Sequence, residues 1–150
     1  MMAEPPQDPP IFTLFNEIGI IEQLARRRLE GVLPDGLKIS HFGVLNHFAR
    51  LGGERAPTEL ARAFQVTKAA MTNTLARLEA RGLVEIGPDP KDGRAKRVAL
   101  TNKGRRLRDR AIKALGPELA EIEAHIPVRD FARALPFLQR LRAYLDEARE

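Results

Sequence analysis

The segment spanning residues 67–101 constrains the fold most, because it joins an amphipathic helix directly to a basic hairpin. Its first half begins at Thr67, a residue type that caps helix N-termini, and ends at Gly82, a residue type that stops helices. Its second half has two short apolar runs, over residues 83–86 and 98–100, around a polar tip that contains glycine. The segment therefore predicts a helix beside a β-hairpin with an exposed, basic tip.

The residues before this segment predict the first part of a helix-turn-helix. A helix over residues 37–51 is stopped by two glycines, and a short helix follows from Pro57, a favoured first helical residue, although Ala56 is a poor N-cap. A tight turn at residues 65–66 then leads into the next helix. The predicted inward residues are Phe42, Leu45, Phe48 and Ala49 in the first helix, and Leu60, Ala61 and Phe64 in the second.

The helix that starts after Thr67 has an outward face suited to DNA. Met71, Leu75 and Leu78 form its inward stripe, and the first acid is Glu79, near the end of the helix. Small side chains allow a helix to enter a major groove about 12 Å wide, and Thr and Asn can hydrogen-bond to base edges. The outward residues are Lys68, Ala69, Thr72, Asn73 and Ala76, with Arg77 at the flank.

The hairpin resembles a wing, the element that lies beside a recognition helix. Its tip is cationic and contains Lys91, Arg94, Lys96 and Arg97. An arginine here can enter the minor groove, where narrow A·T-rich stretches deepen the negative potential. We expect Asp92 to hold Arg94 in place through a charge-assisted hydrogen bond.

The positive charge of the chain is confined to this region. Residues 68–110 contain 12 Lys and Arg against 5 Asp and Glu, a net of +7, which leaves −2 for the remainder of a chain whose formal charge is +5. A solvated basic surface and a polyanion-binding face both fit this distribution. The helix and wing favour the second interpretation.

Apolar helices flank the central segment. One covers residues 11–29; a long one begins at Asn102 and continues to about His125, with an expected kink at Gly116-Pro117. The last amphipathic segment covers residues 131–145, and Pro136 predicts that regular helix begins only near that proline.

The composition excludes several classes of function. There is no cysteine, so disulfides, thiolate metal sites and thiol redox sensing are excluded. Residues 1–10 are acidic and proline-rich, which predicts a flexible tail rather than a signal peptide, and no apolar run approaches the roughly 20 residues that span a membrane. No nucleophile–base pattern, phosphate loop or metal-ligand spacing is present, so we expect a cytoplasmic non-enzyme without catalytic residues, cofactor or metal site.

Residues 58–85 and the wing resemble the multiple-antibiotic-resistance regulator (MarR) family of bacterial winged-helix transcription factors. The wing sequence DPKDGRAKRVALTNKG is similar to the family pattern Asp-x-x-Asp-x-Arg…Leu-Thr-x-x-Gly. The residues on that pattern are Asp89, Asp92, Arg94, Leu100, Thr101 and Gly104. The order of helices on both sides matches as well, so the resemblance covers about residues 11–148.

The resemblance implies a mainly α fold with a small β wing. It places a winged helix-turn-helix lobe at residues 37–101 and a helical dimerisation lobe at residues 11–36 and 102–148. It also implies a homodimer on a pseudo-palindromic operator of double-stranded DNA, with recognition helices about 34–36 Å apart. Many members are repressors that lose DNA affinity when a small, often aromatic or phenolic ligand binds.

The family's contacts can be carried onto this chain residue by residue. Base and phosphate contacts fall on Lys68, Ala69, Thr72, Asn73 and Arg77, wing contacts on Lys91, Arg94 and Lys96, and the wing-structuring role on Asp92. Helices that usually line the family's ligand pocket carry Arg26, His41, Phe42 and Leu45. The chain departs from the family at Gly93, where many members have a second arginine.

Two other interpretations fit the residues. One is a winged-helix module that binds protein instead of DNA. The other is a metal-responsive regulator that uses His41, His47 and His125, although the first two are six residues apart and point to different helix faces.

Overall fold

The computed structural model describes residues 2–149, so Met1, the first residue of the predicted tail, and Glu150 lie outside it. One compact unit ends at Ala114 and another begins at Leu115. The elements are α1 (Pro10–Leu29), a 3-10 helix (Pro34–Gly36), α2 (Ile39–Leu51), β1 (Glu54–Arg55), α3 (Pro57–Ala63), α4 (Lys68–Ala80), β2 (Val84–Pro88), β3 (Lys96–Leu100), α5 (Asn102–Ala114), α6 (Gly116–His125) and α7 (Val128–Glu147).

The core of the first unit lies between α2, α3, α4, α5 and the sheet. The inward stripe predicted for α4 is confirmed, because Met71, Leu75 and Leu78 are all buried. In α3, Leu60 and Ala61 are buried, and Phe64 packs against the core while half-exposed. The tight turn between the two helices is also present, and Gln65 adopts a positive φ of 54° there.

The core face predicted for α2 was partly wrong. The helix begins at Ile39; Phe42 packs against the core while half-exposed, and Ala49 is only half-buried. The buried residues are His41, Val44, Leu45 and Phe48. These positions follow the helical i, i+3, i+4, i+7 spacing. The buried stripe begins with His41. A search for apolar residues at helical spacing does not include histidine, so the predicted stripe began one residue later.

The sheet has three antiparallel strands in the order β1-β3-β2. The predicted hairpin corresponds to β2 and β3, which both extend further toward the tip than predicted. Pro88 is tolerated because it lies at the end of an edge strand, where its missing N–H breaks no ladder. The sequence did not reveal β1, whose two residues pair with Val98 and Ala99, because so short a strand has no alternation to detect.

Thr101 joins the end of α4 to α5. Its hydroxyl donates to the Gly82 carbonyl oxygen at 2.6 Å and accepts the Gly104 N–H at 3.0 Å, so it caps α5 while it holds the end of α4. Gly104 is buried at this crossing, and a Cβ atom there would overlap the Leu83 carbonyl oxygen and lie 2.7 Å from Leu100 Cδ1. The Leu-Thr-x-x-Gly pattern thus encodes a cap and a close backbone contact.

Two arginines of α5 bind within the first unit. Arg108 donates from Nε and Nη2 to Asn46 Oδ1 at 3.1 and 3.0 Å. Arg110 donates to both Asp35 carboxylate oxygens at 3.1 and 3.2 Å, and this contact holds the pKa of Asp35 below its usual value. Arg81, at the end of α4, donates to the Asp35 carbonyl oxygen at 3.1 Å. The 3-10 helix therefore links α4 to α5.

The helix expected from Asn102 to His125 is divided completely. It ends at Ala114, and α6 begins at Gly116, with Pro117 in its first turn. The prediction for Pro136 was wrong: α7 is continuous from Val128 to Glu147 and contains that proline. Proline removes one hydrogen bond, and the surrounding alanines, leucines and arginines favour helix enough to continue through it.

Helix α1 buries none of its side chains in the chain itself. Ile11, Phe12 and Leu24 are 72%, 58% and 64% exposed. Several large apolar side chains exposed on one helix form a patch, which differs from single apolar residues scattered over a surface. In the second unit, α7 also has no buried residue, and Phe131 and Leu135 are about half-exposed. Helix α1 and helix α7 therefore each expose apolar side chains to solvent.

We predict that Gly104→Ala lowers the free energy of unfolding by about 2 kcal/mol, because the added methyl group must displace backbone at Leu83. Chemical denaturation would measure the loss. Gly31→Ala is the matched control, since no atom lies within 4 Å of the added group. Equal stability of the two variants would contradict the close-contact role of Gly104.

Candidate nucleic-acid interface

Helix α4 is fixed at both ends and displays its polar side outward. The Thr67 hydroxyl accepts the Ala70 N–H at 3.1 Å, which confirms the predicted N-cap. Gly82, with a φ of 72°, follows the helix and allows the chain to turn into the sheet. The buried stripe between these ends leaves every predicted contact residue of α4 exposed: Lys68, Ala69, Thr72, Asn73 and Arg77.

The exposed residues of α4 form two rows with four-residue spacing. Lys68, Thr72 and Ala76 line a groove of about 710 Å³ between the helix and the wing. Ala69, Asn73 and Arg77 follow the neighbouring line on the helix, outside that groove. The helix therefore offers one row toward the wing and another away from it.

The wing tip is shaped by its two aspartates. Asp89 Oδ1 accepts the Lys91 N–H at 2.8 Å, and Asp92 Oδ1 accepts the Arg94 N–H at 3.0 Å. Asp92 therefore bonds to the main chain of Arg94, as a turn aspartate does, and the guanidinium group that it was expected to hold remains exposed. Backbone bonds between Asp89 and Ala95, and between Ala95 and Asp92, close the tip.

The wing places Arg94 and Lys96 on the far wall of the groove from Lys68, and Lys91 at the exposed tip. Within residues 2–149, no carboxylate forms an ion pair with Lys68, Arg77 or these three wing residues. Their charges are therefore available to an anionic partner. Gly93 also lines the groove, and a side chain there would meet open space.

Two charged residues differ from their sequence-based interpretation. Glu79 accepts the Ile86 N–H at 3.1 Å, so its carboxylate connects α4 to the edge strand β2. Arg97, counted with the cationic tip, lies instead within 4 Å of three carboxylates at the base of the wing. The alternation of β3 places Lys96 and Arg97 on opposite faces, but the predicted strand began only at Val98, so the sequence did not separate them.

The residues predicted for a ligand pocket lie on two helices. His41, Phe42 and Leu45 are on α2, with Leu45 fully buried in the core. Arg26 is exposed on α1, where it pairs with Glu22 at 2.7 Å. Among the residues that the structure describes, no three His, Asp or Glu side chains form a group able to hold a metal ion. None of the described helices is both long and apolar enough to cross a membrane.

Known proteins share this architecture. Residues 35–95 match the model of the MarR family. The solved structure of a mutant MarR from E. coli complexed with operator DNA is 28% identical, covers 87% of this chain and 94% of its own, and has a TM-score of 0.69. The transcriptional regulator BldR from Sulfolobus solfataricus is 26% identical, covers 89% of this chain and 99% of its own, and has a TM-score of 0.71.

The fold defines a winged-helix protein of the transcriptional-regulator class. Apo wild-type MarR from E. coli supports the same assignment, with 27% identity, 91% coverage of this chain, 98% of its own, and a TM-score of 0.73. The family model over residues 35–95 and these structures thus agree with the resemblance to the MarR family that the sequence shows.

The environment of His41 makes stability depend on pH. Burial, followed by the positive charges of Lys38, Arg77 and Arg81, lowers the pKa of His41. The folded state therefore binds its proton less readily than the unfolded state, whose histidine pKa is about 6.5. The contribution of His41 to the free energy of unfolding is fully present above that pH. It is lost as the pH falls toward the lowered folded-state pKa.

We predict that His41→Gln flattens the decrease in the free energy of unfolding between about pH 7 and pH 5, because the substituted side chain does not titrate in this range. Denaturation midpoints at several pH values would measure it. An unchanged pH slope in the variant would assign the dependence to other groups.

Proposed function

We propose that this protein is a sequence-specific regulator of transcription that binds double-stranded DNA and acts by binding rather than catalysis. The observation that carries the proposal is the groove between α4 and the wing, bordered by Lys68, Arg94 and Lys96 with their charges uncompensated. Phosphate contacts supply affinity and base-edge contacts supply specificity. Chromosomal DNA as the partner puts the site of action in the cytoplasm.

The helix rows and the wing have separate roles in this proposal. Thr72 and Asn73 offer hydrogen bonds to base edges in the major groove, with Ala69 admitting the bases closely. Arg77 and Lys68 contact phosphates. Arg94 enters the minor groove, and the Asp92 carboxylate directs it there by fixing the main chain at that residue.

The functional unit in this proposal is a homodimer on a pseudo-palindromic operator. The exposed apolar residues of α1 and of α7 support it, because a second copy would remove that surface from water. A two-fold dimer carries two recognition helices, which reach successive major grooves when they are about 34–36 Å apart. The MarR complex with operator DNA is the structural precedent.

We also propose that the protein represses transcription and is released by a small aromatic or phenolic ligand. A ligand that binds the dimer with mis-spaced recognition helices more tightly than the DNA-bound form would lower DNA affinity. Arg26, His41, Phe42 and Leu45 are the residues that we assign to that ligand. His41 and Leu45 are buried in the first unit, so the ligand would need to displace their packing or approach its edge.

We predict that affinity for duplex DNA falls steeply with added salt, because binding releases counterions from the contacted phosphates. Arg94→Ala should weaken binding by roughly 10-fold and leave the oligomeric state unchanged. Fluorescence anisotropy and light scattering would measure the two quantities. Lys113→Ala, which removes an exposed charge at the far end of α5, is the control and should bind normally.

A salt-independent affinity would refute the phosphate-contact model and favour a protein-binding winged helix. Equal binding by Arg94→Ala and the wild type would refute the wing assignment alone.

We predict that Asn73→Ala reduces discrimination between a selected duplex and a scrambled one by about 1–3 kcal/mol, because a base-edge hydrogen bond is lost. Arg77→Ala should instead weaken binding to both duplexes by similar factors, since phosphates carry no sequence information. Competition binding with the two duplexes would measure this. Equal loss of discrimination in both variants would contradict the assignment of Asn73 to base edges and Arg77 to phosphates.

A further inference from the structure

Arg97 and Lys96 are adjacent in β3 but face different surroundings. Lys96 lines the groove between α4 and the wing, whereas Arg97 does not. Arg97 pairs in register with Gly87 of β2, at the level where the wing leaves the sheet. The position is the base of the wing, on the side opposite the groove.

Three carboxylates from three different elements surround the Arg97 guanidinium. Nε lies 3.9 Å from Glu54 Oε2 of β1 and 3.7 Å from Asp89 Oδ2 of the wing tip, and Nη1 lies 3.8 Å from Glu59 Oε1 of α3. Glu59 Oε1 also accepts the Ala56 N–H at 3.4 Å, which fixes it at the start of α3. One cation thus connects the wing to the first strand and to the first helix of the helix-turn-helix.

These contacts are electrostatic rather than hydrogen-bonded. Nε is inaccessible to solvent and has no hydrogen-bond partner among residues 2–149. A buried N–H without a partner is costly, so nearby opposite charge must offset it. The three acids also compensate the charge of Arg97, and it therefore adds little to the field that attracts phosphate.

The wing is held on its other side by Glu79, which accepts the Ile86 N–H of β2. The remaining hydrogen bonds of the tip, between Asp89, Asp92 and Ala95, lie within the tip itself. They define its shape but not its direction relative to α3 and β1. Arg97 adds side-chain contacts from the base of the wing to β1 and α3.

We propose that Arg97 is a positioning residue for DNA binding, which orients the wing through Glu54, Glu59 and Asp89 and does not contact DNA. This inference rests on the proposed function, because its effect on affinity acts through Arg94. Loss of the Arg97 charge frees the wing base and makes minor-groove entry by Arg94 less frequent. The same loss has little further effect when Arg94 is already absent.

A double-mutant cycle tests the proposal. Arg97→Gln and Arg97→Leu are each made in the wild type and in Arg94→Ala, and binding is measured on a duplex of about 30 base pairs that the wild type selects from random-sequence DNA. We expect each Arg97 variant to weaken wild-type binding about 3- to 10-fold and to weaken Arg94→Ala binding less than about 2-fold. Two different substitutions of Arg97 are used so that a folding defect in one variant does not prevent the test.

Lys96→Gln is the matched control, because it removes one charge from the adjacent residue on the groove side. As a direct phosphate contact, it should weaken both backgrounds by the same factor and lower the salt slope by about 1 in each. Arg97 variants that behave in this way would overturn the positioning role and make Arg97 a phosphate contact.

Amide hydrogen exchange without DNA gives a second readout that does not depend on the proposed function. We expect faster exchange over residues 89–97 in both Arg97 variants, with exchange in α4 unchanged. Unchanged exchange at the wing would overturn the inference. If the wild type bound no duplex, the proposed function would fail, and the exchange measurement would still decide whether Arg97 orients the wing.

Discussion

The hydroxyl of Thr101 connects the parts of this molecule that must be aligned for binding. It donates to the carbonyl of Gly82, where α4 ends, and accepts the N–H of Gly104, where α5 begins. Because Gly104 has no side chain, the first turn of α5 can lie against the backbone of Leu83. Helix α4, the hairpin and α5 therefore meet at one crossing, and the direction of each depends on the others.

The basic residues divide into two groups around that crossing. Arg81, Arg108 and Arg110 bind inside the first unit, where they connect α4 and α5 to the 3-10 helix and to α2. The groove residues are left uncompensated. A net charge alone would treat the two groups as equivalent. The structure separates the cations that build the scaffold from those available to a partner.

The sequence predicted the features that depend on local chemistry. Helix α4 lies between Thr67 and Gly82 as expected, because helix caps and positive-φ glycines act through their immediate neighbours. The contacts of Arg97 could not be predicted, since Glu54 and Glu59 reach it through the fold. The prediction for Pro136 was wrong for a related reason. The free-energy cost of one proline in a helix was smaller than the helical preference of the residues on both sides of it. The exposure of the candidate contact residues on α4 was predicted from the sequence, but their division between groove and outer row needed the wing in place.

Gly93 has a consequence for how the charge of the groove could change during evolution. The position lines the groove, and nothing occupies the space that a side chain would enter. Its backbone does not require glycine, because its φ lies outside the left-handed region. A single codon change there could add a cation to the groove without repacking any neighbour. If the groove binds DNA as proposed, binding strength can therefore evolve at this one position, separately from the residues of α4 and from the stability of the fold.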